Sequence, residues 1–340
     1  MSPRVSVVIV NLNGRVMLGD CLRSLWRQEY EDFEVVVVDN GSTDGSMEFL
    51  GSLSDQRLRT VALRVNRGFA AGCNAGIHAA TGEYIATLNN DAQAEPGWLE
   101  ALVAVLDEDS RTGMCASKIL FAGDRRRIDK VGHLIYMDGL NHGRGSGEVD
   151  SGQFDRVEEV LFPDAAAALY RREMLDQIGL FDELFFAYGD DADLGLRGRI
   201  AGWMCIYVPT ALVYHIHSAT AGEFSALKAF LIERNRIWVA IKLFPLPLLC
   251  ISPFFTALRF LFHAYGALFS SGSSGQFAAQ CSRRTLILMI LKAYWSGIKQ
   301  VPRMWRSRRQ IGGFARLGSP AFTRLLWKHR ISLRALTLGS

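Results

Sequence analysis

The sequence predicts an α/β protein with a mostly parallel central sheet, followed by a C-terminal helical extension that is both basic and apolar. Two observations carry this reading. Over the first hundred residues, short β-branched apolar runs alternate with stretches of helical periodicity, the rhythm of parallel strands joined by right-handed crossover helices. After about Ala221 the chain changes character, with long apolar blocks set between arginines and lysines. The expected division is a front body over 1–222 and an extension over 223–340.

The elements follow in order. Arg4–Val10 is almost wholly apolar and β-branched, as suits a parallel strand covered on both faces. Helical spacing runs from Arg15 to about Gln28, with Val16, Leu18, Leu22, Leu25 and Trp26 near one face. Phe33–Val38 and Leu58–Val65 read as the second and third strands, Phe69–Ala80 as a helix and Glu83–Leu88 as a fourth strand. Pro96 suits the first turn of the next helix. Residues 121–160, rich in Gly, Arg and Asp, predict loops over the site with some mobility. Order returns over Asp164–Leu175, where Arg171-Arg172-Glu173 begins a helix.

Composition narrows the classes. The six cysteines are scattered with no CxxC spacing, which argues for buried thiols in a reducing compartment and against a disulfide framework or zinc ribbon. The apolar run Val5–Val10 stops at Asn11, too short for a secretory h-region, so no signal peptide is expected. The net charge of +4 conceals an asymmetry: from Glu223 onward there are 18 Lys+Arg and 2 Asp+Glu, leaving the front body at −12. Such a basic end calls for an anionic surface. Its aliphatic and aromatic runs are too apolar for a solvated nucleic-acid groove, which excludes nucleic acid and leaves a membrane. The stretch Leu243–Leu258 is interrupted by Pro245, Pro247 and Pro253 and is followed by Arg259 and His263, so helices lying on an anionic leaflet fit better than spanning ones. A re-entrant or spanning arrangement is the alternative.

Two acidic clusters about a hundred residues apart point to chemistry: Leu88-Asn89-Asn90-Asp91-Ala92 and Gly189-Asp190-Asp191-Ala192-Asp193. Carboxylates beside apolar segments are costly unless paired, hydrogen-bonded or neutralised by a metal. A divalent ion at Asp91 could hold diphosphate oxygens, while one of the second cluster serves as general base. Arg197, four residues after Asp193, is placed to pair with it. Asp39 follows a strand and could accept a pyrimidine ring N–H, although turn and cap chemistry explains it equally well. Asp44 fits a cap better than a ligand contact. Asn66-Arg67-Gly68 through Asn74 precedes and opens a helix, where backbone amides favour a phosphate. His215 and His217 alternate along an apparent strand, and His215 is a second metal-ligand candidate.

Together these segments resemble the family 2 glycosyltransferases, in particular their bacterial rhamnosyltransferase-like branch. The matching stretches are VSVVIVNLNG at 5–14, VVVVDNGSTDGS at 35–46, NRGFAAGCNAGI at 66–77, LNNDA at 88–92, RREMLDQIGLFDELFFAYGDDADLGLR at 171–197 and the His215 segment. Their order covers about the first 220 residues. The resemblance implies a GT-A nucleotide-diphospho-sugar transferase fold and, usually, inversion at the anomeric carbon. It implies Asp39 on the pyrimidine, Asn66 and Gly68 near the nucleotide, Asp91 as the last residue of a DxD-type metal motif and Asp191 as catalytic base. His215 would lie near the metal or diphosphate. Asn74, Asn90, Asp190, Asp193 and Arg234 complete the expected substrate-binding set. Asn89 replaces the first aspartate of DxD, leaving fewer negative ligands, and Asp190 stands where a glutamate is usual.

The expected protein is an inverting, metal-dependent enzyme using Mg²⁺ or Mn²⁺ and a dTDP- or UDP-sugar, with rhamnose the sugar the branch implies. Its acceptor would be a lipid-linked glycan or polysaccharide of the cell surface. Its expected location is cytoplasmic, peripheral on the inner face of the plasma membrane. The rival expectation is a non-catalytic nucleotide-sugar-binding assembly protein of the same fold, slightly favoured by Asn89 and opposed by the intact Asp190–Asp193 cluster.

Overall fold

A computed structural model describes residues 2–216, 226–268 and 283–338. The chain divides into two compact units, Met1–His133 with Gly143–Thr220, and Leu134–His142 with Ala221–Ser340.

The first unit is a layered α/β body. β1 (Val5–Asn11) and β2 (Phe33–Asp39) are buried nearly throughout, as continuous apolar parallel strands require. They pair in parallel from Val5↔Phe33 to Asn11↔Asp39, which sets Asn11 beside Asp39 at the carboxyl edge. α1 (Arg15–Leu25) and α2 (Ser46–Gly51) follow these strands. β3 (Leu58–Ala62) extends the sheet beyond β2, and α3 (Phe69–Ala79) leads to β4 (Tyr84–Leu88), parallel to β1 on its other side.

β5 (Ala92–Ala94) follows Asp91, and α4 (Trp98–Glu108) leads into β6 (Thr112–Phe121). Trp98 is fully buried, and its indole N–H donates to Ser117 at 2.8 Å. Residues 121–160, expected as loops, contain four short strands: β7 (Ile128–Lys130), β8 (His133–Ile135), β9 (Asn141–Gly143) and β10 (Glu158–Glu159). β11 (Ala167–Arg171) runs antiparallel between β4 and β6, and α5 (Arg172–Ile178) starts at the second arginine. α6 (Asp190–Ile200) and β12 (Met204–His215) complete the unit. The strand order is β10-β12-β6-β11-β4-β1-β2-β3, mostly parallel, with antiparallel insertions at β11 and β10.

The second unit is helical: α7 (Ala226–Leu243), α8 (Leu246–Leu268), α9 (Arg283–Lys299), α10 (Val301–Gly312), α11 (Ser319–Lys328) and α12 (Leu333–Leu338). Among the described residues one helix, α8 over Leu246–Tyr265, is long and apolar enough to cross a membrane. Pro245 lies in the break between α7 and α8 and Pro247 in the first turn of α8, whereas Pro253 sits inside the helix without ending it, so the prolines divide this stretch at its start and not at its middle. Arg259, counted against burial in lipid, turns inward. Its Nε lies 2.7 Å from Asp138 and its Nη1 2.8 Å from Glu233. Glu233 also holds Arg236 at 2.7 Å, and Arg236 reaches the Tyr294 hydroxyl at 2.5 Å. The segment 134–142 supplies Asp138, fully buried, to this network.

Candidate active site

The carboxyl edge of β1, β2 and β4 gathers the first set of expected residues. Asp39 is almost fully buried; Asn11 donates to its Oδ1 at 3.3 Å and the Ser42 amide to its Oδ2 at 3.0 Å. Asn90 donates to Asn11 at 2.8 Å, extending the chain of amides from β2 to β4. Asp44 is not the N-cap residue of α2, which is Gly45, but its carboxylate accepts from the amides of Ser46 and Arg15, the first residues of α2 and α1. Asn66 Oδ1 accepts from the Gly68 amide at 2.9 Å and from Asn40 at 3.1 Å. Gly68 has φ +88°, and a Cβ there would meet the Phe186 carbonyl at 2.5 Å. Only glycine allows this approach. The Ala70 amide then donates to the same carbonyl, tying the start of α3 to the turn before α6.

At the other side of β4, sheet pairing builds a His–Asp pair. β12 is antiparallel to β5 with His215↔Ala92, one residue after Asp91, and the Ile216 amide donates to the Asp91 carbonyl. His215 Nε2 consequently lies 3.1 Å from Asp91 Oδ1, and Asn89 Nδ2 is 3.3 Å from the same nitrogen. The other ring nitrogen, Nδ1, lies 2.7 Å from Asp129 Oδ2. Burial opposes charge on this imidazole, but Asp129 and Asp91 outweigh it and raise its pKa to about 9. One carboxylate oxygen and one imidazole nitrogen, 3.1 Å apart, form a mixed O/N donor set that fits a divalent ion such as Mn²⁺ once the ion displaces the proton between them.

The second cluster is presented by a strained turn. Phe186 and Tyr188 have φ of 66° and 65°, unusual for bulky residues, and Gly189 follows at 78°. Asp190 and Asp191 then open α6, where unpaired amides favour negative charge. Asp191 Oδ2 lies 3.5 Å from His133 Nε2, and the same nitrogen is 2.9 Å from Asp164. Lys130 Nζ lies 2.6 Å from Asp164. Burial lifts the Asp191 pKa; His133 and Lys130 pull it back, leaving it above the ordinary carboxylate value. Burial and then Asp191 push Asp190 well up, and its Oδ2 has no hydrogen-bond partner. Burial works against charge on Lys130, yet Asp129 and Asp164 hold it above the usual lysine value. His133, Asp164 and Asp191 could hold an ion, each offering a ligand atom within 4.8 Å of the others. The Lys130 ammonium already supplies a cation to that group.

A continuous polar path therefore joins the two acidic clusters within the first unit. It runs Asp91, His215, Asp129, Lys130 (4.0 Å from Asp129), Asp164, His133, Asp191. Asp129, Lys130, His133 and Asp164 were not singled out from the sequence. The available signal was three ionisable residues over 129–133, alternating with buried Ile128 and Val131. Two other expected residues are held within the fold. Asp193 is buried and pairs with Arg197 at 2.9 Å, and Asn74 exchanges hydrogen bonds with the Phe181 backbone. Arg234 belongs to the second unit, half-buried over the Trp238 ring at 4.2 Å, its Nε donating to Asn235. Burial lowers its pKa to about 10. His217 lies outside the described residues.

A mostly parallel sheet with acidic side chains at its carboxyl edge places them where ligands of open α/β sheets bind. The family model described as glycosyl transferase family 2 matches residues 6–179, more than half of the chain, which therefore belongs to that family. The chain is 30% identical over 276 residues to an N-acetylglucosaminyl-diphospho-decaprenol L-rhamnosyltransferase of Mycobacterium tuberculosis, covering 70% of this chain and 87% of that protein. It is 32% identical over 236 residues to an uncharacterized protein, y4gI, of Sinorhizobium fredii, covering 65% of this chain but only 25% of that longer one. Among solved structures, GalNAc-T7 with UDP, GalNAc and Mn²⁺ aligns with a TM-score of 0.59 at 16% identity, over 71% of this chain and 48% of that one. At that identity the likeness shows the fold, GT-A.

Proposed function

We propose that this protein is an inverting glycosyltransferase that moves a sugar from a pyrimidine-nucleotide diphospho-sugar to a glycan or lipid-linked glycan in cell-surface polysaccharide synthesis. The observation that supports this reading is the polar path linking Asp91 to Asp191 within the first unit, with Asp91 and His215 at one end and Asp191 at the other. Asp91 and His215 would hold Mn²⁺ or Mg²⁺, and the ion would offset charge on the diphosphate. Asp39, with Asn66 and Gly68, would border the nucleotide, and Asn90 would keep Asn11 and Asp39 in register.

Asp191 is the residue assigned to the acceptor. Its ionised carboxylate would take the hydroxyl proton as the oxygen bonds to the anomeric carbon. The bond from that carbon to the diphosphate breaks on the opposite face, and the nucleoside diphosphate leaves with the electron pair. Asp191 then returns its proton to solvent. A carboxylate above the ordinary pKa is a stronger base when ionised. Asp190 would border the acceptor. L-Rhamnose is the preferred sugar because the Mycobacterium tuberculosis relative is named an N-acetylglucosaminyl-diphospho-decaprenol L-rhamnosyltransferase, and dTDP is the nucleotide proposed with it. UDP is the alternative, since GalNAc-T7 was solved with it.

The second unit would hold the enzyme on the inner leaflet of the plasma membrane, where lipid-linked acceptors are presented. Supporting this, Ile251, Phe254, Leu261 and Tyr265 of α8 are exposed at helical spacing while Arg259 faces inward. The deciding experiment is Asp191→Asn, with donor binding read separately by thermal shift. Turnover should fall by ~10²–10⁴-fold with donor binding retained. Near-normal turnover overturns the base assignment.

A further inference from the structure

We propose that Asp129 is a positioning residue for the metal site, fixing the ring of His215 so that Nε2 is the nitrogen offered beside Asp91. The inference rests on the metal reading given above and goes beyond it, since no motif in the chain points to Asp129.

The geometry makes the case. Asp129 is on β7, which pairs with β6 so that Leu120 faces Ile128 and Ile119 faces Lys130. β6 in turn pairs with β12, where Phe121 faces His215. Two registers therefore deliver a fully buried carboxylate to the deep side of the imidazole, with Oδ2 2.7 Å from Nδ1. The opposite nitrogen lies 3.1 Å from Asp91 Oδ1. A carboxylate accepting the Nδ1 hydrogen keeps that proton in place, so that Nε2 is the nitrogen whose proton an incoming ion displaces; it also prevents a ring flip that would turn Nδ1 toward Asp91. Lys130 Nζ, 4.0 Å from the other oxygen of Asp129 and 2.6 Å from Asp164, partly balances the buried negative charge. Asn89 makes this support matter more. With the amide in place of a carboxylate, the site keeps Asp91 and His215 as its proposed ligands, so the orientation of the one imidazole carries a larger share of the affinity.

Outer-shell partners of a ligating histidine typically contribute 10–100-fold in metal affinity. The experiment measures Mn²⁺ binding to the full-length chain by loss of the free-ion electron paramagnetic resonance signal, without donor or turnover. Wild type is compared with Asp91→Asn, His215→Gln and Asp129→Asn, each checked for folding by circular dichroism. Asp91→Asn and His215→Gln should lose binding, and Asp129→Asn should weaken it by ~10–100-fold. In turnover assays Asp129→Asn should need correspondingly more Mn²⁺ while kcat at saturating Mn²⁺ returns toward wild type, a split that loss of packing alone would not give. Wild-type binding that Asp129→Asn leaves unchanged overturns the positioning role and spares the metal reading. Absence of Mn²⁺ binding in wild type overturns both. Should Asp129→Asn not fold, Asp129→Glu keeps the charge but displaces the accepting oxygen, and unchanged Mn²⁺ affinity there overturns the proposal equally.

Discussion

At the scale of single residues, Asp190 and Asp191 are two adjacent carboxylates with different environments. Asp191 has His133 and Lys130 opposing the effect of burial, whereas Asp190 has burial and its neighbour's charge both acting upward. The proposed base works only when ionised, so a raised Asp191 would set the acid limb of kcat/KM above the ordinary aspartate value of about 3.9. His133→Ala removes a group that lowers the Asp191 pKa, so the limb should move to higher pH, which a pH–rate profile reads directly. An unmoved limb would separate His133 from the base. For Asp190 the sign runs through stability. A carboxyl raised in the folded state contributes stability at pH values below its unfolded pKa, and that contribution disappears as pH rises through the folded value. Asp190→Asn should therefore raise the melting temperature at pH 7 by ~2 °C or more and change it little near pH 4. Both acids stood out in the sequence as an acidic helix start, and the structure places them there. Asp129, Lys130, His133 and Asp164 did not, because their meaning lies in partners 31 to 86 residues away that only the sheet registers bring close.

At the scale of elements, α8 shows how phase decides the cost of a charge. Ser252, Thr256, Arg259 and His263 recur at helical spacing and form the inward stripe; Ile251, Phe254, Leu261 and Tyr265 form the outward one. Burial, then the charge of Arg259, lowers His263 to about 4, so it is neutral at physiological pH. Counting residues along the sequence registered Arg259 as an obstacle because linear counting ignores which way a side chain points, and Asp138, its partner, comes from 134–142, far upstream. The helical character of the extension was legible; its internal ion network was not. Removing one partner from a buried network leaves the others uncompensated, at a cost of ~3–5 kcal/mol. Arg259→Met should destabilise the chain by about that amount in chemical denaturation monitored by circular dichroism. Combining it with Asp138→Asn should recover part of the loss, since the double change removes opposite charges together. Equal stability of Arg259→Met and wild type would mean that water already solvates Asp138 and Glu233.

At the scale of the whole molecule, the proposed attachment to a membrane surface would draw on two separate forces that respond differently to salt. The chain from Glu223 onward carries 18 basic against 2 acidic residues, and juxtamembrane lysines and arginines contribute about 1 kcal/mol each near an anionic leaflet. That attraction is screened, because the Debye length falls to ~3 Å at 1 M salt. The outward stripe of α8 is apolar, and ionic strength does not screen its transfer into lipid. Co-sedimentation of the full-length chain with anionic vesicles should therefore weaken from low salt to 1 M NaCl without vanishing. Neutral vesicles should retain only the salt-insensitive part. Phe254→Asp with Leu261→Asp places two carboxylates on the exposed stripe and leaves the Arg259 network untouched, so it should abolish the salt-resistant binding while the low-salt electrostatic binding persists. Complete release of wild type at 1 M NaCl would reduce the second unit to an electrostatic tether. Unchanged salt-resistant binding of the double variant would place the contact on another face, with the exposed Leu288, Leu291, Trp295 and Ile298 of α9 the next surface to substitute.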